Sequence, residues 1–167
     1  YGFRRGHSTT HATLDFLQTI ENAMENGKFA IGIFCDLSKA IDTLDHSILL
    51  AKLQHYGIRG KWLSWFSSYL KDCKQFVDID GVSSDSQDIT VGVPQGSILG
   101  HLLFLRYIND LPASVKKLIP VMLADDTNLV IKGKRINELI DIINPELFSL
   151  SDYFKANKLK LNASKTN

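Results

Sequence analysis

A chain of 167 residues with 44% hydrophobic side chains can pack a core of its own, which excludes a disordered segment and fits one domain. With 19 basic against 18 acidic residues the formal charge is +1, so no global field draws nucleic acid and any basic surface must be local. Cys35 and Cys73 have no CxxC spacing, which disfavours a zinc site or a disulfide framework and makes a reducing compartment the default, and no run approaches the roughly 18 apolar residues that span a bilayer.

Ser8 or Thr9, after "GFRRGH", can cap a helix whose Leu17, Ile20 and Met24 recur at three- and four-residue steps before Asn26 and Gly27 end it. The compact apolar run "KFAIGIFCDL" predicts a central strand buried on both sides, with Asp36 at its end. "DHSILLAKLQHYG" and "GKWLSWFSSYLKD" predict two helices separated by Gly57 and Gly60, the first capped by Asp45. "QFVDIDGVSSDSQDITVGV" alternates around a Gly/Ser turn and predicts a hairpin with one wet face. A helix is expected from about Gly96, with Pro112 beyond its end, and "IPVMLADDTNLVI" predicts two strands with a tight reversal at Asp125 and Asp126. In "INELIDIINPELFSLSDYFKANK" the period is helical, but Pro145 is expected to begin a second segment capped by Asn144. "KLKLNASKT" closes as a short alternating strand. No repeat, linker or domain boundary is visible, and helices mixed with hairpins indicate an α+β fold. With no initiator Met and an end at "SKTN", the expectation is one domain over 1–167, a piece of something longer at both ends.

Two adjacent carboxylates in an apolar setting repel one another and resist desolvation, so one takes up a proton unless a cation neutralises them. Hard oxygen ligands without neighbouring His or Cys favour magnesium over zinc. If the strand ending at Asp36 lies beside the hairpin, three carboxylates can hold two ions about 3.5 to 4 Å apart, the arrangement of phosphoryl transfer. Each piece also has a plainer reading: Asp-Asp as a solvated turn, Asp36 as a helix cap or loop residue. His7 and His11 have the i, i+4 spacing of two ligands but no third candidate nearby, and Trp62, Trp65 and Phe66, able to stack on bases, have the helical spacing of core residues.

The ordered blocks "GFRRGHST", "CDLSKAID", "GVPQGSILG", "LADDT" and "NKLKLNASKT" resemble those of reverse transcriptases of the non-LTR retrotransposon kind, over nearly the whole chain. That resemblance implies a right-hand polymerase palm, an antiparallel sheet backed by helices, with partial fingers and no thumb. It implies two Mg2+ ions, with Mn2+ a substitute, and RNA template, DNA primer and dNTP as partners. The thumb and endonuclease of a longer polyprotein are expected partners too, in an intracellular setting, nuclear or cytoplasmic, with no membrane. By position, Asp36 corresponds to the first metal ligand, with the Leu37 carbonyl near the triphosphate, Asp125 to the second, and Asp126 to the supporting carboxylate. Gln95 is expected to touch the nucleotide, Gly96 to let backbone approach nucleic acid, Arg4 and Arg5 to contact template or triphosphate, and Lys165 to protonate departing pyrophosphate.

Departures from the family pattern are equally specific. Ile41 replaces the aromatic that blocks a ribose 2′-hydroxyl, which puts sugar discrimination in doubt; His101 replaces a proline; and Leu123 replaces an aromatic. Arg106 falls on the helical stripe of Leu99, Leu102 and Leu103, where a buried charge would be costly, so it reaches a phosphate or marks decay. The competing readings are an inactive relic of a mobile element, a binding module with a structural cation, and a different two-metal nuclease or phosphatase, the last disfavoured by "PQGS".

Overall fold

The computed structural model describes residues 1–2, 6–71, 73–94 and 96–166. They form two compact units, Tyr1–Ala40 with Ile108–Asn167, and Ile41–Tyr107. Neither crossing carries the Gly, Pro or Ser run that marks a boundary in sequence.

In the first unit, α1 (Thr9–Glu25) starts at Ser8, whose hydroxyl accepts from the His11 amide, and stops at Asn26 and Gly27, as expected from the capping residues. Its inward face differs from the predicted one. Ala12 and Ala23 are buried, while Leu17 and Met24 are exposed, because small side chains let the helix lie close to the sheet. Phe16 completes that contact over Gly32 in β1 (Phe29–Cys35), where an added Cβ would come within 3.2 Å of the ring.

The sheet has the order β1-β7-β6, all antiparallel, with β6 spanning Ile119–Leu123 and β7 Asp126–Gly133. The central strand is therefore β7, with Leu129, Val130 and Ile131 buried. Among the described residues β1 is an edge strand, with Phe29 and Phe34 exposed, contrary to the expectation of a doubly buried strand. An apolar run without alternation fixes neither neighbour of a strand; here Phe34 finds its partner in the Phe16 ring, 5.5 Å away.

Helix α5 (Ile136–Ala156) runs unbroken through Pro145, so the predicted second segment at Asn144 does not form. Proline forfeits the bond to the carbonyl four residues back. Its exposure leaves that carbonyl near water, and burial of Leu139 and Ile143 before it and Leu150 and Phe154 after it holds both halves in line. The alternating end of the chain makes only a bridge, Leu37 with Leu161, rather than a strand.

The second unit contains α2 (His46–His55), capped by Asp45, packed on α3 (Lys61–Leu70). A nested ladder follows, β2 (Lys74–Gln75) with β5 (Gln87–Asp88) outside β3 (Asp78–Ile79) with β4 (Val82–Ser83). Phe76, Val77, Ile79 and Val82 are all exposed, so the hairpin has no dry face among the described residues. Helix α4 (Ile98–Ile108) begins two residues later than predicted and buries Leu103, Phe104 and Tyr107. Arg106 is exposed with its guanidinium 5.9 Å from the Tyr56 ring centre, so the costly buried charge does not arise. Trp62 and Trp65 are exposed too, against the core reading of their spacing, and Trp65 stacks on Tyr69.

Candidate active site

Strands β6 and β7 reverse through Ala124 and Asp125 alone, a two-residue turn that holds Ala124 at φ +54. Asp125 sits at the exposed tip, and Asp126, paired with Leu123, opens β7. On the other side of β7, Cys35 pairs with Thr127, so extending that antiparallel register by one residue brings Asp36 opposite Asp126. Cross-strand neighbours share a face. Three carboxylates thus gather at one end of the sheet, contributed by two segments separated by most of the chain.

Their electrostatics agree with the register. Shielding from water, then the negative charge of Asp125, then that of Asp36, hold the Asp126 carboxyl above the usual carboxylate range. Among the described residues no basic side chain forms an ion pair with any of the three. The crowding is therefore of like charge, and hard oxygen donors in that state suit a hard divalent cation. In this conformation no three carboxylate, imidazole or thiolate groups among the described residues converge tightly enough to enclose an ion. The donor chemistry fits magnesium; the side chains stand open.

Asp36 is fastened from a direction that sequence reading missed. The Asn162 amide group donates to Asp36 Oδ2 at 2.9 Å, and the Asn162 backbone N–H donates to the Asp36 carbonyl at 2.8 Å. Ser38 N–H donates to the Lys160 carbonyl at 2.8 Å, so these two bonds flank the Leu37–Leu161 bridge without using the Leu37 carbonyl. Carbonyls alternate along a strand. With that of Asp36 turned to the Asn162 segment, that of Leu37 is left out of the bonds flanking this bridge.

Lys165 is exposed in the turn after Asn162, its amide donating to the Asn162 carbonyl at 3.1 Å, and its ammonium pairs with no carboxylate among the described residues. Gly96, in the other unit, is exposed at φ +78 with nothing within 4 Å of where a Cβ would stand. Ile41 is half-buried at the start of that unit. Arg4, Arg5 and Gln95 lie outside the described residues.

Comparison with known proteins converges on one family. The family model for reverse transcriptase (RNA-dependent DNA polymerase) matches residues 1–167. The "Probable RNA-directed DNA polymerase from transposon BS" of Drosophila melanogaster is 30% identical over 179 residues, covering 99% of this chain and 19% of that protein. The "RNA-directed DNA polymerase from mobile element jockey" of the same fly is 28% identical over 172 residues, again covering 99% of this chain and 19% of the relative. The chain thus spans about a fifth of the curated relatives it matches. Among solved structures, telomerase of Candida albicans matches with a TM-score of 0.72 at 15% identity, over 96% of this chain and 30% of telomerase. At that identity the likeness is one of fold, an α+β polymerase palm with partial fingers. With the family model matched from end to end and the fold shared, the chain belongs to the reverse transcriptase (RNA-dependent DNA polymerase) family.

Proposed function

We propose that this chain is the nucleotide-adding part of an RNA-directed DNA polymerase, extending a DNA primer along an RNA template with dNTPs. The observation that carries the reading is the meeting of Asp36 with Asp126 and Asp125 at one sheet end, in the block order of the family. Asp36 and Asp125, with the Leu37 carbonyl, would hold the divalent ions. Once bound, two such ions supply charge neutralisation for both the attacking and the departing oxygen.

The chain's own residues do the rest. Asp126 supports Asp125 at the tip of the hairpin and keeps the site's charge negative enough to recruit cations. In the transfer the primer 3′-hydroxyl gives its proton to water, its oxygen bonds to the α-phosphorus, and the bond from that phosphorus to the bridging β-phosphate oxygen breaks. Lys165 Nζ gives a proton to the departing pyrophosphate. Gly96 leaves backbone bare so that the template base pair can lie against it, Gln95 touches the nucleotide, and Arg4 and Arg5 bind phosphates of template or dNTP. Contacts to backbone rather than base edges make template recognition independent of sequence, with base pairing doing the selection. Ile41 stands where the ribose 2′-position is read.

The rival reading, an inactive relic of a mobile element, rested partly on a buried Arg106. That residue is exposed and engages the Tyr56 ring, which removes this support. Primer extension on an RNA template with Mg2+, run on the chain and on the longer protein containing it, separates the two. Incorporation by the parent and none by Asp125→Asn supports polymerase function. No incorporation by either form of the parent favours the relic.

A further inference from the structure

We infer that Asn162 is a positioning residue, holding the Asp36 carboxylate in the orientation that receives a cation. The inference rests on the metal-binding reading of Asp36 and adds the residue that controls it. The clamp spans 126 positions in sequence and grips Asp36 twice, at carboxylate Oδ2 and at the backbone carbonyl. A carboxylate only accepts hydrogen bonds, so the Asn162 amide must turn its NH2 toward it. Its other end is taken: Asn162 Oδ1 accepts from the Ser164 hydroxyl at 2.7 Å. The backbone carbonyl of Asn162 is taken as well, accepting from Lys165 N–H at 3.1 Å, Thr166 N–H at 3.0 Å and the Thr166 hydroxyl at 2.9 Å. Every polar group of Asn162 is therefore engaged, and the amide has one orientation.

The chemistry of the donor matters as much as its place. A neutral amide fixes Oδ2 without adding a positive charge that would compete with a cation. Lysine or arginine at this position would neutralise the site. Among the described residues Oδ1 of Asp36 receives no hydrogen bond, so the clamp leaves one oxygen open for coordination. Residues that orient metal-binding carboxylates in this way govern affinity by about 10- to 100-fold.

The test is a Mn2+ titration, with free ion followed by its electron paramagnetic resonance signal, on the metal-free chain and on Asn162→Ala, Ser164→Ala and Asp36→Asn. The expected result is Mn2+ binding weakened by about 10- to 100-fold in Asn162→Ala, with circular dichroism of the metal-free protein unchanged. Extension assays should need correspondingly more Mg2+ for half-maximal rate yet recover at saturating Mg2+, whereas a merely structural defect lowers the rate at every concentration. If Asp36→Asn weakens binding and a folded Asn162→Ala does not, the positioning role is refuted alone. Should Asp36→Asn bind Mn2+ as the parent does, the cation reading itself fails. Were Asn162→Ala unable to fold, Ser164→Ala decides: it frees Oδ1 while leaving the backbone clamp, so weakened binding supports the role and unchanged binding overturns it.

Discussion

Gly92 and Gly96 lie in one block, "GVPQGS", and share nearly the same left-handed backbone, φ +80 and +78, yet alanine at the two positions should have different consequences. At either site the conformation costs an L-residue about 1 to 2 kcal/mol. At Gly96 nothing else is added, since the space is open. At Gly92 a Cβ would stand 2.4 Å from the Asp42 carbonyl oxygen and 2.8 Å from its carbon, backbone atoms that cannot rotate away. The segment must shift. That move strains two bonds, Gly92 N–H to the Leu44 carbonyl at 2.7 Å and His46 Nε2 to the Gly92 carbonyl at 2.6 Å, each contributing about 1 kcal/mol. Gly92→Ala should therefore cost about 3 to 4 kcal/mol, a large share of the roughly 5 to 15 kcal/mol that holds a domain together, and Gly96→Ala only about 1 to 2 kcal/mol. Both tryptophans, Trp62 and Trp65, belong to the same unit, so urea unfolding followed by their fluorescence reads it directly. In primer extension the ranking should change: if Gly96 lies against the template pair as proposed, Gly96→Ala, well folded, should lose activity. Equal destabilisation by the two substitutions would refute the steric reasoning.

Three further outcomes follow from named side chains. The Asp126 carboxyl is held above its ordinary range in the folded state, so the fold binds its proton more tightly than the unfolded chain does, and stability contributed there declines as pH rises through that raised value. In metal-free buffer Asp126→Asn should melt higher than the parent at about pH 7.5, where the unfolded-state carboxyl is ionised, and the advantage should vanish as pH falls through the raised value; a lower melting temperature at neutral pH contradicts this. Thr127 is wholly buried on the central strand with its hydroxyl unbonded among the described residues, so Thr127→Val should raise stability by about 1 kcal/mol in urea titrations. Ile41→Phe should sharpen preference for deoxynucleotides over ribonucleotides; equal rate ratios for parent and variant would remove Ile41 from sugar selection.

How much of this was legible beforehand depended on the range of the determining contact. The cap at Ser8, the cap at Asp45 and the Asp125 turn are local, and residues within four positions specify them. The nearness of Asp36 to Asp126 was legible because a strand ending at Asp36 and a hairpin turning at Asp125 need only lie side by side to set those two positions opposite each other. Side choice and strand order were not legible. Nothing in "FAIGIFC" states that β1 has one neighbour among the described residues, nor does the period of "KWLSWF" state that Trp62 is exposed. Pro145 obeys a local rule that packing on both sides overrode. Asn162 was missed because its partner is remote; the alternation in "KLKLN" was its only trace, marking a segment able to pair with an extended one without saying which.

The cluster itself is open to direct measurement by carboxyl-resolved NMR titration of Asp126 in the metal-free chain, in Asp36→Asn and in Asp125→Asn. If Asp36 meets the pair across the sheet, removing its charge lowers the Asp126 pKa toward the ordinary carboxylate range, and removing the nearer charge of Asp125 lowers it further. An Asp126 titration unmoved by Asp36→Asn would mean the two carboxylates do not share a site.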